Sequence, residues 1–133
     1  MKTAVLVLAA LAVTGCMGRS TASSSRPVST STTALTISIS AEDQERLTKV
    51  WTLTCPDQGT LPRPERACQR LAALNKPFAP VPKSAACTEV YGGPLVADVS
   101  GRLRGRRVAA HFSRTNGCEI ARWNRVRFLF PDT

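Results

Sequence analysis

The sequence has 133 residues, enough for one domain of ordinary size, and its 18 lysines and arginines outnumber its 9 acidic residues. The resulting net charge of +9 favours anionic surfaces but does not by itself identify a partner. The single histidine, His111, and the lack of closely spaced cysteine pairs argue against a catalytic triad and a metal centre. We therefore expect neither enzyme activity nor a metal or cofactor.

The first residues of the sequence predict an export signal. Lys2 precedes an apolar run at residues 4–13, which has the layout of a signal peptide and is too short to span a bilayer comfortably. The run leads into Val13-Thr14-Gly15-Cys16, which resembles the bacterial lipobox, where the cysteine is lipidated and becomes the mature N-terminus. Residues 1–15 are thus a predicted signal peptide. Cys16 is a predicted lipid anchor at the outer face of the bacterial cell membrane, the alternative being an ordinary cleaved signal and an extracellular protein.

Residues 16–33 are dominated by serine and threonine and carry almost no apolar side chains. Such a segment cannot bury enough apolar surface to fold. It is typical of a flexible tether that separates a lipid anchor from a folded domain, here predicted at residues 34–133. A disordered N-terminal tail without an anchor would behave in the same way.

Two alternating patterns follow. Leu35, Ile37 and Ile39 share one face of a half-buried strand, and residues 41–45 form a charged break. Residues 47–55 then alternate again and place Leu47, Trp51, Leu53 and Cys55 on one side. Two strands with a short connection predict an antiparallel pair.

A helix is predicted after the proline-rich loop at residues 56–64. Pro64 is suited to the first helical turn, and Ala67, Leu71 and Leu74 recur at helical spacing. Residues 75–77 end the helix. Cys68 on this helix could close back to Cys55 and connect the helix to the sheet.

The segment at residues 86–93 is a short extended stretch that contains Cys87 and ends in two glycines. Prolines precede it, and Val90 and Tyr91 favour extended backbone over helix. A disulfide at Cys87 would hold this conformation before a partner arrives, so that binding loses less entropy. We interpret the segment as the substrate-like loop of a secreted serine protease inhibitor, which presents the Glu89–Val90 peptide bond to the enzyme.

The remaining chain reads mostly as antiparallel sheet. Residues 94–99 are a predicted strand with Ser100-Gly101 as its turn, and an arginine-rich hairpin at residues 102–108 continues as a strand to Phe112. Residues 119–123 suggest one helical turn. The last predicted strand is at residues 125–130, with Val126, Phe128 and Phe130 on one face. The fold class is therefore α+β.

Four groups of residues resemble the Streptomyces subtilisin inhibitor-like family over the region from about Thr33 to Phe130. They are Leu53-Thr54-Cys55 with Cys68, Cys87-x-x-Val90-Tyr91, Gly105-Arg106-Arg107-Val108, and Asn116-x-Cys118-Glu119. The resemblance implies a five-stranded antiparallel sheet with two helices, and a homodimer formed through that sheet. It also implies sequential disulfides, Cys55–Cys68 and Cys87–Cys118, whereas four cysteines alone allow three pairings.

The resemblance implies a reactive bond two residues after the third of these cysteines, at Glu89–Val90. Asn116 matches the family's asparagine that supports the loop by hydrogen bonds. The residues expected to contact an extracellular serine protease are Ala86, Cys87 and Thr88 on the acyl side and Tyr91 and Gly92 on the leaving side.

Three departures from the family pattern concern this loop. Thr88 stands where proline is usual, Glu89 stands where methionine or a basic residue is common, and Gly92-Gly93 adds a residue. These changes predict weaker or redirected inhibition because a tight loop depends on preorganisation. Glu89 favours a protease whose specificity pocket has a basic or histidine lining.

The alternative hypothesis is a non-inhibitory basic surface module that binds anionic polymer or lipid headgroups. It would depend on arginines of the hairpin and would weaken steeply with ionic strength, unlike inhibition. Nucleic acid is not an expected partner, because no aromatic series accompanies the arginines. The arginines in question are Arg102, Arg104, Arg106 and Arg107.

Overall fold

The computed structural model describes residues 32–42 and 44–133. The predicted signal peptide, the lipidation site Cys16 and the tether up to residue 31 lie outside the described residues. The elements in chain order are β1 (Ala34–Ala41), β2 (Gln44–Thr54), α1 (Pro64–Ala73), β3 (Leu95–Leu103), β4 (Arg106–Phe112), α2 (Gly117–Arg125) and a final 3-10 helix (Arg127–Leu129).

The strands form one antiparallel sheet in the order β2-β1-β3-β4. Strand β1 is central, and its Ile37 lies opposite Trp51 of β2 and Val99 of β3. The α+β class with two helices and two disulfides is confirmed. The prediction of a five-stranded sheet is wrong, because the sheet of the described residues has four strands.

The predicted strand at residues 125–130 is instead the end of α2 followed by the 3-10 helix. Val126, Leu129 and Phe130 are buried, and their spacing is that of a helix, whereas a strand would place Val126 and Phe128 on the same face. Phe128 is only half-buried and lies 4.4 Å beneath the guanidinium of Arg70. The short apolar run was compatible with both periods, and packing against the core selects the helical one.

The core lies between one face of the sheet and the two helices. Leu35, Ile37 and Ile39 of β1 are buried, as their alternation predicts. An aromatic cluster joins the sheet to the C-terminal part, with ring centroids 5.3 Å apart for Phe112 and Phe130 and 4.5 Å apart for Trp123 and Phe130. The remaining members of the buried cluster are Leu53, Leu61, Ala67, Cys68, Leu71, Ala97, Val99, Val126 and Leu129.

The turn predicted at Ser100-Gly101 lies inside β3, and the chain reverses at Arg104-Gly105 instead. Gly101 has φ +129°, and a Cβ there would lie 2.2 Å from the Ala34 carbonyl oxygen. Glycine therefore serves at this position to let β1 pass closely rather than to reverse the chain.

Helix α1 begins at Pro64, as predicted, and buries Ala67, Cys68 and Leu71. The last carbonyl groups of a helix have no hydrogen-bond donor within the helix. At the end of α1, an arginine of the β3–β4 turn supplies the donor. Nη2 of Arg104 donates to the carbonyls of Leu71, Ala72 and Leu74 at 2.8, 3.0 and 3.0 Å.

Candidate functional site

The loop at residues 86–93 lies between α1 and β3 and belongs to neither a helix nor a strand. Glu89 is exposed, and so are Val90 and Tyr91, at 54% and 62% of their full accessible surface. Among the residues whose side-chain burial the structure describes, Val50 is the one other large apolar residue with comparable exposure. Adjacent exposed apolar residues mark a surface suited to a protein partner.

The loop is fastened to the segment 114–118 on both sides of the Glu89–Val90 bond. The Cys87–Cys118 disulfide brings the two Cα atoms to 5.3 Å. Before the Glu89–Val90 bond in the chain, the Gly117 N–H donates to the Thr88 carbonyl at 2.9 Å, and after it the Gly92 N–H donates to the Arg114 carbonyl at 2.7 Å. The exposed bond therefore lies between two fixed points.

The segment 114–118 owes its position to the start of α2. Asn116 has extended backbone, and its Oδ1 accepts the Glu119 N–H at 3.0 Å, which is the geometry of an N-cap. This cap fixes the first helical turn, which carries Gly117 and Cys118. The side chain of Asn116 thus bonds to the helix, and the helix holds the loop.

Two glycines permit the close approach of loop and support. A Cβ on Gly117 would lie 2.1 Å from Oγ1 of Thr88, a distance that no real contact tolerates. A Cβ on Gly92 would lie 3.0 Å from Cδ1 of Ile120 and 3.1 Å from Cβ of Arg114. Sequence reasoning missed both roles, because they depend on contacts with residues far away in the chain.

Arg122 of α2 bonds to two other segments of the chain from inside the domain. Its side chain is only 11% exposed, and it donates to the carbonyls of Ala79 at 2.8 Å and His111 at 2.6 Å. It also pairs with Glu119 at 3.1 Å and lies 4.1 Å from the ring centroid of Phe112. Sequence reasoning did not single out this residue, because an arginine on a short helix is usually exposed.

The hairpin arginines of the alternative hypothesis are not all free to bind a polymer. Arg104 caps α1, and Nη1 of Arg102 donates to the Gly105 carbonyl at 3.0 Å. Arg106 and Arg107 are exposed on β4. Two of the four guanidinium groups therefore have structural bonds within the domain.

His111 and Asp98 form a cross-strand hydrogen-bonded pair, with Nδ1 and Oδ1 2.8 Å apart and both side chains 59% exposed. Within residues 32–42 and 44–133, no group of three or more His, Cys, Asp or Glu side chains is placed to hold a metal ion. In the same residues no helix has the length and apolar character needed to cross a membrane.

The two disulfides follow the pairing that the resemblance implies, Cys55–Cys68 and Cys87–Cys118. A family model described as subtilisin inhibitor-like matches residues 29–116. The chain belongs to the subtilisin inhibitor-like family. Members of this family are protease inhibitors and not enzymes.

Among solved structures, the fold is similar to that of Streptomyces caespitosus sermetstatin in complex with Bacillus licheniformis subtilisin. The two chains are 25% identical, with a TM-score of 0.49 and coverage of 75% of this chain and 98% of the other. A comparison with curated protein sequences finds no match.

Proposed function

We propose that this member of the subtilisin inhibitor-like family inhibits an extracellular serine endopeptidase by presenting Glu89–Val90 as a substrate-like bond. The observation that carries the proposal is the pair of backbone hydrogen bonds, Gly117 to Thr88 and Gly92 to Arg114, on either side of an exposed peptide. Together with the Cys87 bridge they hold the loop in its exposed position before it meets a protease. Little conformational freedom is then lost on binding.

The target protease receives the loop as it receives a substrate. Ala86, Cys87 and Thr88 pair with the edge of the enzyme's cleft through their main chain. The catalytic serine lies near the Glu89 carbonyl carbon, and the oxyanion-hole donors bind its oxygen. Tyr91 and Gly92 lie on the leaving side, where the exposed Tyr91 ring supplies apolar contact area.

The supports of the loop favour resealing of the bond over release of the products. Attack by the serine transfers the Glu89 acyl group to the enzyme and leaves a free amine on Val90. The Gly92–Arg114 hydrogen bond keeps that amine near the acyl carbon, and the Cys87–Cys118 bridge keeps the acyl side in place. The amine can then attack the acyl-enzyme and restore the peptide bond.

Glu89 selects the class of protease in this proposal. A carboxylate buried in an apolar pocket without a partner costs several kcal/mol. A pocket with a basic or histidine lining removes this cost by pairing with the carboxylate. We therefore propose a glutamate-preferring serine protease as the target.

The proposed location is the outer face of the bacterial cell membrane, with Cys16 lipidated and residues 16–33 as a tether to the domain at residues 34–133. The tether lets the loop reach proteases that approach the cell surface. The homodimer through the sheet stays a prediction.

The test is a titration of the exported full chain against a glutamate-specific serine protease and a broad subtilisin-like protease. We expect stoichiometric inhibition of the glutamate-specific enzyme, with slow cleavage after Glu89. Glu89→Lys should weaken this inhibition at least about 100-fold, because the reversed charge meets a basic pocket.

The matched control is Glu65→Lys, which makes the same charge change on the exposed face of α1. Its inhibition should stay within about twofold of that of the parent protein, since exposed charges far from an interface contribute little. Equal potency of the Glu89→Lys variant would refute the role of Glu89. Failure to inhibit either protease would refute the loop as a reactive site.

A further inference from the structure

A second candidate site lies at the start of α1, where a cavity of about 250 Å³ is lined by four arginines. The other lining residues are two prolines, Pro62 and Pro131, an alanine and Phe128. All the lining side chains are therefore basic or apolar. The four arginines are Arg63, Arg66, Arg70 and Arg127.

The acidic residues nearest in the chain are engaged elsewhere. Glu65 accepts a hydrogen bond from Nε2 of Gln69 at 3.2 Å and lines a different cavity. Asp132 pairs with Lys49 at 3.4 Å. Among the described residues, neither carboxylate forms an ion pair with an arginine of the cavity.

Repulsion among these positive charges raises the free energy of the cavity when no anion is bound. Arg66 and Arg70 are four residues apart on one helix, and like charges at that spacing destabilise a helix. A bound anion converts this repulsion into attraction, because several guanidinium groups then share one negative partner.

Two of the guanidinium groups have defined positions before any ligand binds. Arg70 lies 4.4 Å from the ring centroid of Phe128, an arrangement that holds its plane against the aromatic face. Arg127 donates from Nη2 to the Thr133 carbonyl at 2.9 Å and retains its other N–H groups for a ligand. All four arginines of the cavity are exposed and can reach a ligand from solvent.

We propose that this cavity binds a phosphate group. The planar fork of arginine matches the oxygens of a phosphate and can donate two parallel hydrogen bonds to it. The volume is below the range of pockets that bind drug-sized ligands, so the cavity accepts a phosphate with a short substituent. Anionic lipid headgroups and free phosphates share this chemistry.

The phosphate site is separate from the inhibitory loop. None of its lining residues belongs to the loop at residues 86–93 or to the supporting residues 114–122. The protein can therefore bind a phosphate-bearing surface and a protease at the same time, and the phosphate site does not depend on the proposed inhibition.

The test is calorimetric titration of the full chain with inorganic pyrophosphate at about 0.15 M ionic strength, where long-range charge effects are screened. Arg66→Gln/Arg70→Gln should raise the Kd at least about tenfold, because charged hydrogen bonds are lost. Arg106→Gln/Arg107→Gln removes the same charge from β4 outside this cavity and should change the Kd less than about threefold.

The double variant also removes the contact between Arg70 and Phe128, which could lower stability. The single variant Arg66→Gln keeps this contact, so it should weaken binding while the melting temperature stays unchanged. A parallel assay with phosphatidylglycerol vesicles identifies the source. If the variants rank in the same order of affinity for vesicles as for pyrophosphate, the ligand is a lipid headgroup. If they differ in affinity only for pyrophosphate, the ligand is a free phosphate. Equal losses in both double variants, or no binding of pyrophosphate, would overturn the proposal.

Discussion

The two disulfides hold two regions that differ in nearly every other respect. Cys55–Cys68 joins the end of β2 to α1, where Cys68 is buried within the hydrophobic core. Cys87–Cys118 joins α2 to a loop without a helix or strand, where both cysteines are only half-buried. The first region is held by packing and has a bridge in addition, whereas the second is held by its bridge and a few hydrogen bonds.

This difference predicts whether a substitution in each region affects stability or inhibition. In the packed region many contacts share the stabilisation, so that a single change lowers the free energy of unfolding and leaves the loop intact. In the loop each connection fixes a backbone position that, under the proposed function, the protease contacts. Changes there should alter inhibition more than stability.

The largest expected effect comes from removing the loop bridge with Cys87→Ser/Cys118→Ser. We expect the inhibition constant to rise at least about 1,000-fold, because the loop loses its preorganised conformation. Cleavage after Glu89 should become fast and complete. The measurement is residual protease activity together with mass analysis of the products.

The control is Cys55→Ser/Cys68→Ser, which should lower the free energy of unfolding by about 3 kcal/mol and change inhibition only a few-fold below its melting temperature. Equal losses of inhibition in both variants would contradict the distinction between the two regions.

The next largest effect is expected for Gly117→Ala. The new Cβ would overlap Oγ1 of Thr88 and push the loop from its support, so that inhibition should weaken about 10- to 100-fold. The control is Gly105→Ala in the hairpin turn, where φ is +78° and nothing lies within 4 Å of the new atom. That variant should lose stability through backbone strain but inhibit normally. Normal inhibition by the Gly117→Ala variant would show that the loop does not need this contact.

A smaller effect, on stability alone, is expected for Arg104→Gln. The variant leaves the carbonyls at the end of α1 without their donor, which should lower the free energy of unfolding by about 1–3 kcal/mol. Arg106→Gln on the same hairpin is the charge-matched control and should be nearly neutral. Chemical denaturation gives both values, and a clear loss of inhibition by the Arg104→Gln variant would contradict the separation of the two regions.

The smallest effect is expected for Lys49→Gln. Lys49 and Asp132 are 3.4 Å apart, but their side chains are 58% and 62% exposed. Such a pair contributes at most about 1 kcal/mol because solvent screens it. A larger change in the unfolding free energy would mean that the C-terminal residues stabilise β2 more than their exposure suggests.

The sequence predicted β1 and α1 better than the C-terminal part of the core and the contacts that support the loop. Alternation at Leu35, Ile37 and Ile39 and the helical spacing after Pro64 determine their elements locally, and the structure contains both. The segment ending at Phe130 was predicted to be a strand, because an apolar segment of this length fits the periodicity of a strand as well as that of a helix. Only its packing against the core selects the helical form. Gly117 and Arg122 could not be assigned from pattern, because their roles depend on contacts with Thr88 and Ala79, far away in the chain.

The place of β1 at the centre of the sheet has a consequence for the cut protein. Cleavage between Glu89 and Val90 would leave β1, β2 and α1 on one polypeptide and β3, β4 and α2 on the other. The two pieces would still share the β1–β3 ladder, which runs from Ala34 opposite Arg102 to Ala41 opposite Leu95. The proposed reactive bond is thus a natural split point, and the two halves expressed as separate chains are suited to reassemble by strand complementation.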